Sequence, residues 1–142
     1  MSKVILTDTG FWLSLLDPLD QFHNDSEAIA ELIQNYTLIL PWPCLYETLN
    51  TRLIRKRERL LHFEQLTSKS NIILMDDLSY RNDALLNVYN FSRSQGVTYS
   101  LVDNVIREIL KDVNVKINYL VTFNSSDFKD ICDKRNVGIF GN

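Results

Sequence analysis

Four acidic residues, Asp8, Glu47, Asp103 and Asp127, occupy positions from which carboxylates could act together. Asp8 and Asp127 each lie between a short apolar run and a helical pattern, Asp103 begins another helical pattern, and Glu47 lies inside one. Converging carboxylates repel one another, so a cluster is tolerable only with protonation or a bound cation. Hard oxygen ligands suit Mg²⁺ or Mn²⁺, and these ions activate water for attack on a phosphodiester. If the four acids converge, they predict a metal site for that chemistry.

Each acid also has an ordinary structural interpretation, which the sequence leaves open. Asp8 fits the N-cap of a helix, and Asp103 fits the acidic position of a capping box. Asp127 fits a first-turn acid favoured by the helix dipole, with Asn124 as the N-cap. Glu47 fits a solvent-facing helical glutamate. The sequence contains no GxSxG nucleophile motif, P-loop or GxGxxG motif that would direct the interpretation elsewhere.

The elements that must position these acids alternate along the chain. Apolar runs predict strands at 4–6, 37–40, 71–75, 119–123 and 137–140. Helical patterns cover 10–16, 23–36, 60–66, 84–91, 100–113 and 127–136, and Leu45, Leu49 and Leu53 lie on one helical face. Strands separated by helices predict βαβ units and a mainly parallel sheet in one α/β domain, although periodicity leaves the strand order open. Ligands of such sheets bind beyond the carboxyl ends of the strands, where Asp8 is expected.

Composition excludes several classes of protein. The 142 residues are 45% hydrophobic and 23% charged with a net charge of -3, which excludes a disordered chain and a globally basic nucleic-acid coat protein. No apolar run reaches the length of about 18 residues that a membrane span needs. Cys44 and Cys132 are isolated, so we expect no disulfide framework or zinc site, and a cytoplasmic location.

Positive charge is concentrated in one segment. Residues 51–70 hold six cations and two acids, whereas residues 1–50 hold one cation and seven acids. The functional interpretation is a patch that follows RNA phosphates, and the alternative is a solvated helix surface with some salt bridges. The candidate RNA-binding residues of this basic cluster are Arg52, Arg55, Lys56, Arg57 and Arg59.

Two tryptophans lie near the expected site. Trp12 follows Asp8 closely and either stacks on a base or packs into the core, of which we favour core packing. Trp42, between Pro41 and Pro43, is predicted to lie in a packed turn.

At its four acids the chain resembles the PIN-domain family, and within it the VapC-type toxin ribonucleases. The resemblance rests on the segment 4–10 (VILTDTG), Glu47, the segment 100–103 (SLVD) and the segment 122–128 (TFNSSDF), in that order. It covers essentially the whole chain, so we expect residues 1–142 to form a single PIN domain. This chain departs from the family pattern at Gly10, where many members carry a small polar residue, and at Asn124, where some members carry another Asp.

The resemblance implies a Rossmann-like α/β/α fold with a five-stranded parallel sheet of order 3-2-1-4-5. It implies Mg²⁺- or Mn²⁺-dependent endoribonuclease activity on single-stranded RNA that leaves 3′-hydroxyl and 5′-phosphate ends. Asp8, Glu47, Asp103 and Asp127 are the implied catalytic residues and metal ligands. The residues implied to orient those ligands or their waters are Thr9, Ser100, Thr122 and Asn124.

The resemblance also implies partners, which are a second copy in a homodimer and a small cognate antitoxin. A toxin of a type II toxin–antitoxin system is therefore the favoured function. A non-toxin RNA-processing PIN nuclease and a non-catalytic PIN-like module that binds RNA or protein are the alternatives. The presence of all four acids favours an active ribonuclease over the non-catalytic module.

Overall fold

The structure is a computed structural model that describes residues 2–94 and 99–142. Strands and helices alternate through most of the chain. The strands are β1 (Val4–Thr7), β2 (Thr37–Pro41), β3 (Ile72–Met75), β4 (Tyr119–Thr122) and β5 (Gly138–Gly141). The α-helices are α1 (Thr9–Leu16), α2 (His23–Ile33), α3 (Trp42–Thr48), α4 (Thr51–Ile54), α5 (Arg57–Thr67), α6 (Arg81–Ser94), α7 (Leu101–Lys111) and α8 (Lys129–Arg135), and a 3₁₀ turn covers Ser125–Asp127.

The five strands form one parallel sheet of order β3-β2-β1-β4-β5, as the resemblance implied. The central strand β1 pairs with β2 on one side and with β4 on the other. Ile5 and Leu6 of β1 are fully buried, because helices cover both faces of the sheet and successive side chains point to opposite faces. The predicted α/β/α class and the parallel sheet are confirmed.

Trp12 belongs to the hydrophobic core. Its indole is 1% exposed and packs edge-on against Phe11 and Phe63, with ring centroids 5.1 and 5.7 Å away. Its Nε1 donates a hydrogen bond to Thr7 Oγ1 at 2.9 Å, which satisfies the one polar atom of the buried ring. Core packing, the interpretation favoured for Trp12, is confirmed, and base stacking by Trp12 is excluded.

The helical segment after β2 differs from its prediction. Helix α3 begins at Trp42 and ends at Thr48, so the packed turn predicted at Trp42 is wrong. Pro43 lies in the first turn, where a missing N–H is tolerated. The single face expected for Leu45, Leu49 and Leu53 is broken, because the Asn50 side chain caps a new helix, α4, at Arg52 and Leu53.

The predicted last helix also divides into two parts. A 3₁₀ turn contains Asp127, and α8 starts only at Lys129. Helix α8 ends at Arg135, and its C-cap, Asn136, adopts the left-handed conformation with φ of 56°. Asp127 therefore lies ahead of an α-helix rather than in its first turn.

A close approach of strands β4 and β5 requires a glycine at the end of the sheet. Gly141 has φ of +112° and lies opposite Thr122 in the register. A Cβ at this position would collide with the Thr122 carbonyl oxygen, so only glycine fits. The closing strand β5 thereby packs tightly against the end of β4 that carries Thr122.

Some apolar side chains of the edge strand β3 and of helix α6 face the surface, namely Ile73, Leu74, Leu85, Leu86 and Tyr89. In the ranges 2–94 and 99–142, no helix has both the length and the apolar composition required to cross a lipid bilayer.

Candidate active site

The site lies where the central strands β1 and β4 end side by side. Asp8 directly follows β1, and its backbone N–H donates to the Val121 carbonyl of β4 at 3.1 Å. Chain connections leave β1 and β4 in opposite directions across the sheet, because β1 leads to β2 and β4 leads to β5. Such a switch point opens a crevice beyond the carboxyl ends of the strands.

Asp8 is both a helix cap and a member of the acidic cluster. It is 6% exposed; its Oδ1 accepts the Thr9 N–H at 2.7 Å, and its Oδ2 accepts the Thr122 hydroxyl at 2.9 Å. Burial raises the pKa of Asp8, the bonds from Thr122 and Thr9 lower it, and the charges of Glu47 and Asp127 raise it further. The capping interpretation is therefore correct but incomplete, because the carboxylate also faces two other acids.

Glu47 comes to the site from helix α3. Its Oε1 accepts the hydroxyl of Thr9 at 2.6 Å, although the residue as a whole is exposed. Thr9 thus contacts two acids, since its N–H binds Asp8 and its hydroxyl binds Glu47. The solvent-facing interpretation of Glu47 describes its exposure but misses this hydrogen bond.

Asp103 lies in the first turn of α7, where Ser100 is the N-cap and accepts the Asp103 N–H at 3.0 Å. Burial raises the pKa of Asp103 from 3.8 to about 6, and the charges of Asp8, Asp127 and Glu47 act in the same direction. A hydrogen bond with Ser100 opposes them. The structure therefore brings the other three predicted acids within electrostatic reach of Asp103.

Asp127 is held through its backbone by a residue that the sequence analysis missed. Arg107 is 7% exposed on α7, and it donates to the Asp127 carbonyl at 2.7 Å and to both carboxylate oxygens of Asp130 at 2.8 Å. Its guanidinium also lies 4.7 Å from the centre of the Tyr99 ring. The available signal was an arginine four residues after Asp103, one helical turn further along the same face.

The four residues predicted to orient the ligands take different roles. Thr9 and Thr122 donate hydroxyl hydrogen bonds to Glu47 and Asp8, and Ser100 caps α7. Asn124 makes no side-chain capping bond, contrary to the N-cap interpretation, and its backbone N–H donates to Thr122 Oγ1 at 3.1 Å. The hydroxyl residues thus position the carboxylates, and Asn124 contacts one of these hydroxyls, that of Thr122.

The donor set suits a hard divalent cation. Every member of the cluster offers carboxylate oxygen, the ligand that Mg²⁺ and Mn²⁺ prefer, and the acids disfavour one another's charge. Within the described part of the chain, however, no three His, Cys, Asp or Glu side chains already form a ligand set. By the type of their ligand atoms, residues Asp8, Glu47, Asp103 and Asp127 fit a site for such an ion, and they would have to draw closer together to hold it.

The basic cluster spans the end of α4 and the start of α5. Arg52, Arg55, Lys56 and Arg57 are exposed. Arg59 is half-buried and pairs with Asp17 at 3.3 Å, so this member also serves a structural contact. Four of the five cluster members are therefore exposed to solvent, and the ion pair that the structure describes in the cluster involves the fifth, Arg59.

Known proteins match this chain through structure alone. No family model and no curated protein matches the sequence. VapC20 of Mycobacterium tuberculosis, described as a toxin that cleaves the sarcin–ricin loop, has a TM-score of 0.68 at 17% identity over 89% of this chain and 94% of its own. FitAcB from Neisseria gonorrhoeae has a TM-score of 0.60 at 14% identity, and VapBC2 from Rickettsia felis, bound to a DNA fragment from its promoter, has 0.58 at 15%, each over 96% of both chains. These similarities confirm the PIN-domain fold that the acidic motifs implied.

Proposed function

We propose that the protein is a Mg²⁺- or Mn²⁺-dependent endoribonuclease that cleaves single-stranded RNA, and that it is the toxin of a type II toxin–antitoxin pair. The observation that carries this proposal is the gathering of Asp8, Glu47, Asp103 and Asp127 at the switch point of the sheet. The same fold in VapC20, a toxin described as cleaving an RNA loop, supports it.

In this proposal the four acids hold the metal, and the hydroxyls of Thr9 and Thr122 fix Glu47 and Asp8 in place. A bound Mg²⁺ or Mn²⁺ would supply an activated water and stabilise charge on the phosphodiester oxygens. Preorganised carboxylates reduce the cost of ordering the site when the ion binds.

One of the four acids would accept the proton of the attacking water. Two hydrogen bonds already occupy the Asp8 carboxylate, so we assign Asp8 to holding the ion.

The exposed members of the basic cluster would bind the phosphates of the RNA strand. Arg55, Lys56 and Arg57 are free to follow a flexible backbone, since their side chains face solvent between α4 and α5. Arg59 contributes less in this proposal, because it is engaged with Asp17.

We further propose two protein partners, a second copy of the chain and a small antitoxin. The apolar surface of β3 and α6, which includes Leu86 and Tyr89, gives a homodimer an apolar area to bury. An antitoxin would neutralise the enzyme most directly by placing a basic side chain among the four acids. The structure of VapBC2 on promoter DNA, which has the same fold, supports such a pairing.

A cytoplasmic location completes the proposal. Cys44 and Cys132 are both free and buried. Burial raises the pKa of the Cys44 thiol above its usual range and raises the pKa of Cys132 to about 11, so both stay protonated. Unpaired thiols of this kind suit a reducing compartment.

The test is cleavage of end-labelled total RNA by the purified protein with Mn²⁺ or Mg²⁺, in parallel with EDTA. We expect the Asp8→Asn variant and EDTA each to abolish cleavage, whereas Asp83→Asn, an exposed acid in the first turn of α6, keeps it. Asparagine is as good an N-cap as aspartate, so loss of activity in Asp8→Asn reports the lost ligand charge rather than unfolding. Full activity of Asp8→Asn would refute the assigned site. Absence of cleavage, in a preparation shown by mass spectrometry to contain no small partner, would favour the non-catalytic binding module.

A further inference from the structure

A groove of about 550 Å³ is lined by residues of α3 and α7, the two helices that also carry Glu47 and Asp103. Trp42, Pro43 and Tyr46 of α3 form one wall, and Leu101, Val102 and Val105 of α7 form the other. Asp76, Asp77 and Arg81 form the end of the groove beyond strand β3. None of these residues takes part in the acidic cluster itself.

Two aromatic side chains are displayed in this groove without serving the core. Trp42 and Tyr46 are one helical turn apart, and their ring centroids are 5.9 Å apart with an interplanar angle of 52°. Tyr46 is 73% exposed and Trp42 is 37% exposed, whereas Trp12 is buried. Exposing large apolar rings to water is unfavourable, so a displayed pair of this kind marks a binding surface.

The two helices that form the groove also carry candidate metal ligands. Glu47 lies one helical turn after Pro43 on α3, and so on the same face of that helix. Asp103 follows Val102 in the first turn of α7. The groove and two of the four acids are thus built on the same pair of helices.

The charge at the end of the groove excludes phosphate as the occupant. Arg81 pairs with Asp77 at 3.0 Å and lies 3.7 Å from Asp76, so its single positive charge is already matched by two carboxylates. Asp76 is 68% exposed and remains able to accept hydrogen bonds. A flat, neutral group with N–H donors on its edge fits this combination, and a phosphate does not.

We propose that this groove binds an unpaired nucleobase of the RNA substrate, adjacent to the phosphate that is cleaved. The base stacks on the more exposed ring, that of Tyr46, with Trp42 in contact beside it, and its N–H edge faces Asp76. Guanine fits best, because its Watson–Crick edge presents adjacent N–H donors to a carboxylate. This inference rests on the proposed function for the identity of the ligand, and it adds that the enzyme reads a base and not only a backbone.

The test measures binding without catalysis, in EDTA at low salt. The probes are a fluorescein-labelled oligouridine heptamer with one central guanosine, and the same heptamer with an abasic site at that position. We expect the wild-type protein to bind the guanosine heptamer at least about tenfold more tightly than the abasic heptamer. Tyr46→Leu should remove this difference, because the stacking surface is lost, and Tyr46→Phe should retain it.

Matched controls separate the groove from general surface effects. Leu32→Ala removes an exposed apolar side chain on α2, outside the groove, and should leave both affinities unchanged. Tyr46 is exposed, so equal melting temperatures of Tyr46→Leu and the wild type are expected. Quenching of tryptophan fluorescence by the guanosine heptamer should disappear in Trp42→Leu, because Trp12 is buried and cannot stack on a base.

The outcomes distinguish this inference from the proposed function. RNA cleavage with no effect of Tyr46→Leu on either affinity or KM would refute the base site and leave the nuclease intact. Base-selective binding that depends on Tyr46, in a protein that cleaves no RNA, would support the base site and refute the nuclease. Loss of the dimer in Tyr46→Leu with unchanged RNA affinity would assign the groove to a second copy and refute the inference.

Discussion

Replacing Asp103 by asparagine should stabilise the metal-free protein while it removes activity. The pKa of Asp103 is raised from 3.8 to about 6, first by burial and then by the charges of Asp8, Asp127 and Glu47. A raised acid pKa means that the fold disfavours the ionised form, so at neutral pH this charge opposes folding. An asparagine side chain at this position would occupy nearly the same volume without that charge.

The size of the effect follows from the change in pKa. A rise from 3.8 to about 6 corresponds to an unfavourable contribution of about 3 kcal/mol above pH 6. Losing an acid from the first turn of α7 costs about 0.5–1 kcal/mol of stability, because that charge interacts favourably with the helix dipole. Asp103 is partly exposed to water, which screens its charge and makes the stabilisation gained by removing that charge smaller still. We therefore expect a net gain of about 1–2 kcal/mol at pH 7.5, or about 3–7 °C in Tm.

The gain should depend on pH with a definite sign. Below pH 3.8 Asp103 is protonated in both the folded and the unfolded state, so the charge has no effect. As pH rises from 3.8 to about 6, the unfolded state ionises while the folded carboxyl stays protonated, so the wild type loses stability that the variant keeps. The difference between the two proteins should therefore be near zero or slightly negative at pH 4 and largest above pH 6.5.

The assay is urea unfolding in EDTA at pH 4.0, 5.5 and 7.5, with Asp83→Asn as the matched control. The control removes an exposed first-turn acid of α6 and should destabilise slightly at neutral pH, because only the dipole contribution is lost. Added Mn²⁺ should raise the stability of the wild type more than that of Asp103→Asn. A variant less stable than the wild type at pH 7.5, or a difference independent of pH, would refute the electrostatic reasoning.

Two further predictions concern residues around the site. Arg107→Met should lower the free energy of unfolding by about 2–3 kcal/mol, because the Asp127 carbonyl loses its buried donor, while Asp130, 64% exposed, returns to water. The same variant should lower kcat more than it changes KM, since Asp127 loses the hydrogen bond that holds its backbone. Urea unfolding measures the change in stability, and steady-state kinetics measures kcat and KM. A loss of stability under about 0.5 kcal/mol would contradict the structural role of Arg107. Changing Arg55 and Arg57 together to glutamate should weaken RNA binding and flatten its salt dependence, with the slope of log K against log salt reduced by at least about 1.4. An unchanged slope in a salt titration would show that these two arginines are only a solvated surface.

Much of the fold could be predicted because its determinants are local. The central strands are short apolar runs, since burial on both faces of a parallel sheet requires apolar side chains at every position. Helix starts are marked by capping residues, and Asp8 and Ser100 cap α1 and α7 as their types predict. The acids were found for the same reason, because their positions relative to strands and helix starts are visible in the sequence.

The prediction from sequence was wrong at two places where the local sequence suits two structures equally well. The break between α3 and α4 depends on Asn50, whose side chain accepts two backbone hydrogen bonds, while the spacing of Leu45 and Leu53 suits a continuous helix. Trp42 lies between two prolines that suit a turn equally well, yet Pro43 occupies the first turn of a helix. In both cases a capping or proline geometry decided the outcome, and that geometry depends on the surrounding packing.

By itself, the sequence determined which residues are chemically able to act, namely the four acids and the hydroxyls beside them. Only the tertiary structure decided which of them meet. Thr9 binds Glu47 across 38 residues and Thr122 binds Asp8 across 114, because β1 pairs with β4 and α3 packs against α1. Arg107 resembles any helical arginine until folding buries it against Asp127. Strand order and side-chain burial arise from long-range contacts, and no local pattern in a single sequence encodes the partners of those contacts.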